Sequence, residues 1–196
     1  NLGGFPEPFF SSSEKEAARW RRDYRHRFIH EEVTSIELTQ NLSAMETLMM
    51  RLPDLVGSPL SINSLREDLN INHITVAKWL DIFERMYGIF RLSPFGAPKI
   101  RAVKKERKHY HYDWSLVSEP SFKFENLVAC HLLKWVHYLE DTEGKDIELR
   151  YFRDTDKREI DFIVVEEHKP KIAIEVKLGD QEVSQHLKYF KMKFPR

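Results

Sequence analysis

The sequence predicts a mixed α/β fold in which a largely helical first part precedes a part built on three strands. Two observations support this prediction. Apolar residues recur at helical spacing over much of residues 13–86, whereas residues 159–165 and 171–177 alternate between apolar and polar side chains. The chain has 196 residues, of which 41% are hydrophobic and 12% aromatic, so it is long enough for one or two domains with cores of their own.

Composition limits the function classes. The formal net charge is zero, so any attraction to nucleic acid must come from a local patch. No run approaches the roughly 18 apolar residues of a membrane span, and no signal peptide is recognisable. The single cysteine, Cys130, excludes an internal disulfide and favours the cytoplasm. Because the chain starts at Asn1 rather than at Met, we expect a fragment of a longer protein.

The first part predicts several helices. Residues 1–12, rich in Pro, Gly and Ser, indicate an extended connector. Ser13-x-x-Glu16 is a capping box, and the helix after it should run to about residue 32 with Trp20, Tyr24 and Phe28 on one face. A second helix is predicted over residues 41–52.

Residues 60–86 have a helix-turn-helix pattern. A short helix carries Ile62, Leu65 and Leu69 inward, residues 70–72 form a polar turn, and a longer helix carries Val76, Leu80 and Phe83. Residues 88–92 and a basic stretch that ends at residues 110–113 then supply a hairpin. Together they predict a winged helix over residues 13–115, with an ordinary helical hairpin or a winged helix used for protein contacts as alternatives.

The predicted wing is strongly basic. Only one acid, Glu106, lies among its cations, and Lys or Arg clusters of this kind bind phosphates. We therefore expect DNA as a partner, contacted by Lys99, Arg101, Lys104, Lys105, Arg107 and Lys108.

In the last part of the chain the pattern predicts helix 122–139, strands 147–153, 159–165 and 171–177, and helix 181–191. Along one side of helix 122–139 lie Phe124, Val128, Leu132, Trp135 and Leu139. If strands 159–165 and 171–177 pair about His168, Asp161 faces Glu175 and Glu159 faces Lys177. Two opposed acids need a positive charge between them. That charge is either a divalent cation or a salt-bridge network that includes Lys177, with Lys171 or Arg158 nearby.

This arrangement resembles the PD-(D/E)xK nuclease superfamily, with Asp161 as the first acid and Glu175-Val176-Lys177 as the acid-x-Lys element. The resemblance implies a restriction-endonuclease-like domain over residues 116–196 and a Mg²⁺ ion held by Asp161 and Glu175 with help from Glu125. It also implies that Lys177 activates water and that Gln185 and Tyr189, in a Gln-x-x-x-Tyr pattern, position the DNA strand. The chain departs from the family in that Ile160, not Pro, precedes Asp161, and the last strand of the fold would follow Arg196.

The whole chain is similar to the C-terminal region of a bacterial and archaeal family of AAA-type ATPases, a region catalogued as a domain of unknown function. The similarity rests on Gly3-Gly4-Phe5-Pro6-Glu7-Pro8, the following Arg19-Trp20 and Tyr24, the helix-turn-helix and the acidic hairpin. No Gly-x-x-x-x-Gly-Lys loop is present, so the resemblance implies that ATP binds only in an ATPase module that precedes this fragment. The expected function is a DNA-acting, Mg²⁺-dependent phosphodiesterase, or alternatively a non-catalytic regulatory or partner-binding region of the ATPase.

Overall fold

The computed structural model describes residues 2–33, 41–96 and 106–195. Over these residues the fold is mixed α+β, with seven α-helices and two small antiparallel sheets. The helices are α1 Pro6–Ser11, α2 Glu14–Arg27, α3 Leu42–Arg51, α4 Ile62–Leu69, α5 His73–Arg85, α6 Pro120–Glu143 and α7 Gln185–Lys193. The strands are β1 Pro59–Leu60, β2 Ile89–Leu92, β3 Arg107–His111, β4 Ile147–Arg153, β5 Glu159–Glu166 and β6 Lys169–Ile174.

Helices α2 and α5 begin directly after capping residues, close to where the sequence predicts them. The Ser13 hydroxyl accepts the Glu16 N–H at 3.3 Å, and a π-helical turn over Phe28–Val33 continues α2. Asn72 caps α5 at 2.8 Å, and Asn70 ends α4 in the left-handed region at φ +51°. The predicted pair of helices with a polar turn between them is confirmed.

The N-terminal segment is not an extended connector. Residues 6–11 form α1, because Pro6 starts a helix well and because Trp20 anchors it by donating its indole N–H to Glu7 Oε2 at 3.0 Å. Gly3, at φ +86°, passes so close to Asp113 that a Cβ there would lie 2.6 Å from its Oδ1. The segment is therefore packed against residues 113–115.

The first sheet has the order β1-β3-β2 and is antiparallel, with Phe90 opposite Tyr110. It confirms the predicted strand at residues 88–92 and its pairing with the end of the basic stretch. The segment between β2 and β3 includes residues 97–105, which lie outside the described part of the chain.

The second sheet has the order β4-β5-β6 and is also antiparallel. Strands 147–153 and 159–165 are confirmed to within a residue, and the pair Phe162 and Ile174 has the predicted register. The turn is tighter than expected: only Glu167 and His168 lie between the strands, both with positive φ. Consequently β6 begins at Lys169 and ends at Ile174, before Glu175.

The predicted apolar side of α6 is buried only in part, since Val128, Leu132 and Leu139 pack against the core. Phe124 and Trp135 are 37% and 40% exposed, whereas Glu125, Asn126, Ala129 and Val136 are buried. The helix carries apolar residues over most of its circumference, so hydrophobicity alone does not single out the inner side. Hydrogen bonds made by the two polar residues, described below, allow that side to be buried.

The two parts of the chain on either side of the predicted boundary, residues 2–115 and 116–195 and called here the first and second halves, share apolar packing. The helices of the first half pack around Phe28, Leu48, Trp79 and Phe83, but Tyr110 of β3 packs in a second cluster with residues of α6, β4 and β5. A third cluster joins α7 to the opposite face of the second sheet. The proposed boundary between residues 115 and 116 is therefore crossed by continuous apolar packing. No described helix has the length and apolarity needed to cross a membrane.

Candidate functional site

An internal ion cluster lies where β3, α6 and β5 meet. The Lys108 side chain is completely buried, with its Nζ 2.7 Å from Glu159 Oε1. The same ammonium lies 3.5 Å from Glu125 Oε1 and 3.5 Å from Asp161 Oδ1. One ammonium from the first half of the chain thus faces three carboxylates from the second half.

Strand alternation places two groups of β3 at this cluster. Lys108 and Tyr110 are two residues apart and so project from the same side of the strand. The Tyr110 hydroxyl donates to Glu125 Oε1 at 2.8 Å. Residue 125 lies near the N-terminal end of α6, where the helix passes over β3.

The charges of the cluster depend on each other. Burial alone would lower the pKa of Lys108, but Glu125, Glu159 and Asp161 outweigh it and raise that pKa above its usual value. Burial raises the pKa of Glu125, and Asp161 adds to this rise while Lys108 opposes it. Lys108 is therefore held as the ammonium ion.

A second ion pair lies just after β6. Lys177 Nζ is 2.9 Å from Glu175 Oε1, and the Ser184 hydroxyl donates to Glu175 Oε2. Burial would raise the pKa of Glu175, yet these two hydrogen bonds lower it overall. The hydrogen bond that Lys177 donates to Glu175 also raises the pKa of Lys177, and Asp161 and Glu125 contribute to the rise. Lys177 therefore lies within electrostatic range of both groups of acids.

Asp161 and Glu175 have separate partners. Asp161 Oδ2 accepts the backbone N–H of Val176 at 2.8 Å, which ties β5 to the end of the hairpin. Glu159, expected opposite Lys177, instead pairs with Lys108 and with Arg153 at 3.2 Å. The cations suggested for a surface network are elsewhere, since Lys171 pairs with Glu166 and Arg158 with Asp154.

The arrangement does not fit the predicted Mg²⁺ ligand set of Glu125, Asp161 and Glu175. Among the described residues, no group of three or more His, Cys, Asp or Glu side chains is placed to hold a metal ion. Glu125 and Asp161 face an ammonium, and Glu175 is engaged by Lys177 and Ser184. Lys108, a residue that sequence reasoning assigned to another surface, supplies the positive charge beside Asp161, and Lys177 supplies the one beside Glu175.

The two helix residues of the Gln-x-x-x-Tyr pattern lie on α7. Gln185 is exposed in its first turn. The Tyr189 ring stacks beneath the Arg158 guanidinium, whose carbon lies 4.0 Å from the ring centroid. His186 Nδ1 lies 3.1 Å from the Glu159 carbonyl oxygen, so α7 borders the cluster without adding a carboxylate to it.

The predicted DNA-binding set divides into three groups. Lys99, Arg101, Lys104 and Lys105 lie outside the described residues. Arg107 is 3.8 Å from Asp81 and from Glu84, two acids of α5 that Arg91 also contacts. Lys108 is a correction: its side chain is buried on an internal strand, so it is not available to a nucleic acid.

Sequence reasoning missed the internal role of Lys108 and the supporting roles of Tyr110 and Ser184. The available signal was the Lys-x-Tyr alternation at residues 108–110, which places a cation and a hydroxyl on one side of a strand. Nothing in the sequence pairs that strand with Glu125 or Asp161, because the contacts join positions far apart in the chain.

Two family profiles match the chain. One, a domain of unknown function (DUF8612), matches residues 1–121, and the other, a domain of unknown function (DUF4143), matches residues 121–195. Because the first match covers more than half of the chain, the chain belongs to the DUF8612 family. Comparison with curated proteins and with solved structures gives no significant match.

Proposed function

We propose that the chain is the C-terminal region of an AAA-type ATPase and that its nuclease-like site is non-catalytic, serving regulation or partner binding. In this proposal a winged helix that contacts DNA precedes a restriction-endonuclease-like domain, and ATP binds in the ATPase module of the same polypeptide. The order of elements supports this proposal, as does the match to DUF4143, a domain often found in AAA-ATPase-associated proteins. The single cysteine supports a cytoplasmic location.

The buried Lys108 ammonium is the observation that carries the non-catalytic assignment. A Mg²⁺-dependent phosphodiesterase needs carboxylate oxygens that can hold the ion together with waters and a substrate phosphate. In this chain the Lys108 ammonium lies between three acids, Glu125, Glu159 and Asp161, and offsets part of their charge. The three carboxylates then join the two halves of the molecule instead of binding a metal.

A Mg²⁺-dependent deoxyribonuclease is the second candidate. It is favoured by Lys177, which is 48% exposed, pairs with Glu175 and lies within electrostatic range of Asp161. A lysine in that position resembles the water-activating residue of the PD-(D/E)xK superfamily.

DNA cleavage and thermal melting together distinguish the two candidates. We expect no cleavage of supercoiled or linear duplex DNA with Mg²⁺ or Mn²⁺, and no metal-induced rise in melting temperature, for the parent chain. Asp161→Asn is the matched variant, because it removes one charge and keeps the side-chain shape. Metal-dependent cleavage by the parent that disappears in Asp161→Asn would establish the deoxyribonuclease and refute the non-catalytic assignment.

DNA binding is tested separately on the four wing residues that lie outside the described part of the chain. Replacement by Ala of Lys99, Arg101, Lys104 and Lys105 should weaken duplex binding. The slope of log binding constant against log salt concentration should become shallower by roughly 0.9 for each phosphate that is no longer neutralised. The control replaces exposed Lys15 and Lys134, on α2 and α6, by Ala. Equal affinity and slope in both variants would mean that the wing does not contact DNA.

A further inference from the structure

Helix α6 carries aromatic side chains on the side opposite to the one that it buries. Glu125, Ala129 and Val136 mark the buried side, which faces β3 and the second sheet. With about 3.6 residues per turn, the opposite side is formed by residues 124, 131, 135 and 138. These residues, called here the outer stripe, are Phe124, His131, Trp135 and Tyr138. All four side chains are exposed, and Tyr138 is the most exposed of the three large apolar ones at 59%.

The outer stripe is unusual for a helix that faces water. A surface helix normally carries polar residues opposite its buried side, whereas a helix that is apolar on both sides is normally covered on both. The centroid of the Trp114 ring lies 6.0 Å from that of His131, so a further aromatic ring borders the middle of the stripe. The stripe therefore has the composition of a contact surface, in which aromatic residues are enriched.

The charges of α6 are reversed relative to the helix dipole. Lys123 lies in the first turn. The last turn has no basic residue, and the acids at this end are Glu140, Asp141 and Glu143. Because the dipole favours acids at the N-terminus and cations at the C-terminus, this distribution is unfavourable for the helix by itself. Glu143 pairs with Lys145 at 2.7 Å, but among the described residues neither Lys123 nor Asp141 has an ion-pair partner.

This charge distribution favours one occupant of the outer stripe, a second α6 helix that runs antiparallel to the first. In such a pair the first turn of each helix lies beside the last turn of the other, and the two dipoles point in opposite directions. Lys123 and Asp141 are 18 residues apart, or about five turns, so they lie on the same flank of the stripe. A two-fold axis across the stripe then brings Lys123 of each copy next to Asp141 of the other. Parallel helices would instead place acids beside acids.

We propose that the outer stripe is the interface of a symmetric dimer, in which α6 pairs antiparallel with α6 of a second copy of this chain. The two-fold axis passes near residues 131–132. The aromatic side chains of the two stripes cover each other, and Lys123 of each copy pairs with Asp141 of the other. Nucleic acids and anionic membranes are poorer occupants, because the acids at the end of α6 repel their phosphates.

Sedimentation equilibrium of the full chain tests for the dimer. We expect a reversible dimer, and Trp135→Gln/Tyr138→Gln should shift it to the monomer, because symmetry removes each aromatic contact twice. The matched control, Met50→Gln/Ile74→Gln, changes two exposed apolar side chains of α3 and α5 and should leave the equilibrium unchanged. Circular dichroism melting shows whether each variant remains folded. A monomeric parent, or equal dissociation of the control, would overturn the proposal.

Charge exchange tests the antiparallel orientation. Lys123→Glu and Asp141→Lys should each weaken the dimer about tenfold or more, because like charges then meet at both ends of the interface. An equimolar mixture of the two variants should restore the dimer, since opposite charges face each other at both ends of the mixed pair. If the mixture associates no better than either variant alone, the antiparallel interface is refuted.

Discussion

At the scale of single residues, Lys108 has the opposite role to the one its neighbours suggest. It lies in a basic stretch, but its strand is covered on both sides, and residues 108–111 are all buried. Asp161 does lie among acids, although these are Glu125 and Glu159, and the positive charge between them comes from a distant strand. Local sequence gives the charge of a residue but not the partner that folding brings to it.

Replacement of Lys108 by Met should be costly, because Glu125 and Asp161 would lose the ammonium that they face and Glu159 would keep only Arg153. Removal of one partner from a buried ionic cluster lowers the free energy of unfolding by roughly 3–5 kcal/mol. Urea denaturation at neutral pH measures this decrease, with Lys134→Met as an exposed control that should change stability by about 0.5 kcal/mol or less. A decrease similar to that of the control would mean that the cluster does not hold the two halves together.

Two buried histidines should make the chain acid-sensitive. Burial lowers the pKa of His109 from 6.5 to about 4, and burial together with His109 lowers that of His111 to about 3. Between pH 6.5 and 4 the unfolded chain therefore binds protons that the folded chain does not, so stability falls as the pH falls. The slope is about 1.4 kcal/mol per pH unit for each histidine. Glu125, with its raised pKa, acts in the opposite direction over part of this range.

Urea denaturation between pH 7 and pH 5 measures the slope. His109→Gln should reduce it, because glutamine does not titrate and its amide N–H can still donate to the Leu52 carbonyl that His109 Nε2 contacts at 2.8 Å. His137→Gln, on the exposed side of α6, is the control for the exchange of a histidine for glutamine. A pH-independent parent would contradict the neutral, buried state of both rings.

At the scale of elements, alternation and capping residues predicted most boundaries, because both act over a few neighbouring residues. The register of β5 and β6 was predictable for the same reason. The irregular register between β4 and β5 near Phe152 could not be predicted from the sequence. Because of it, Ile160 packs in the cluster under α7 while Phe162 packs under α6. Strict alternation would place these two residues on one face.

Asn126 should be the main polar link between α6 and β3. Its amide donates to the His111 carbonyl at 2.7 Å and its Oδ1 accepts the His111 N–H at 2.9 Å, both fully buried. Asn126→Ala removes the acceptor of the His111 N–H and leaves the His111 carbonyl with the Cys130 thiol at 3.2 Å, so it should lower the free energy of unfolding by about 1–3 kcal/mol. Asn63→Ala on exposed α4 is the control for urea denaturation. Equal effects of the two changes would show that α6 is held by apolar contacts alone.

At the scale of the whole molecule, the two family matches meet at residue 121, but the packing does not divide there. Tyr110 contacts Phe162 with ring centroids 5.5 Å apart, and the Phe95 N–H donates to the Tyr151 carbonyl at 2.6 Å. We therefore expect both halves to unfold in one cooperative transition. Far-UV circular dichroism and tryptophan fluorescence should give coincident melting curves, since Trp79 and Trp135 report on different halves. Two separated transitions would show that the halves are independent.

The proposed role of Lys108, which takes the position of a cation among the acids, is tested most directly by the effect of Mg²⁺ on melting of the parent and of Lys108→Met. Removal of the ammonium frees oxygen ligands, so Mg²⁺ should stabilise the variant in a concentration-dependent manner. The melting temperature of the parent should not change with Mg²⁺. If Lys108→Met folds poorly, Lys108→Gln replaces it, and the measurement on the parent stands by itself. Stabilisation of the variant alone is the predicted result. Equal or greater stabilisation of the parent would contradict this role and point to a metal site that functions with Lys108 in place.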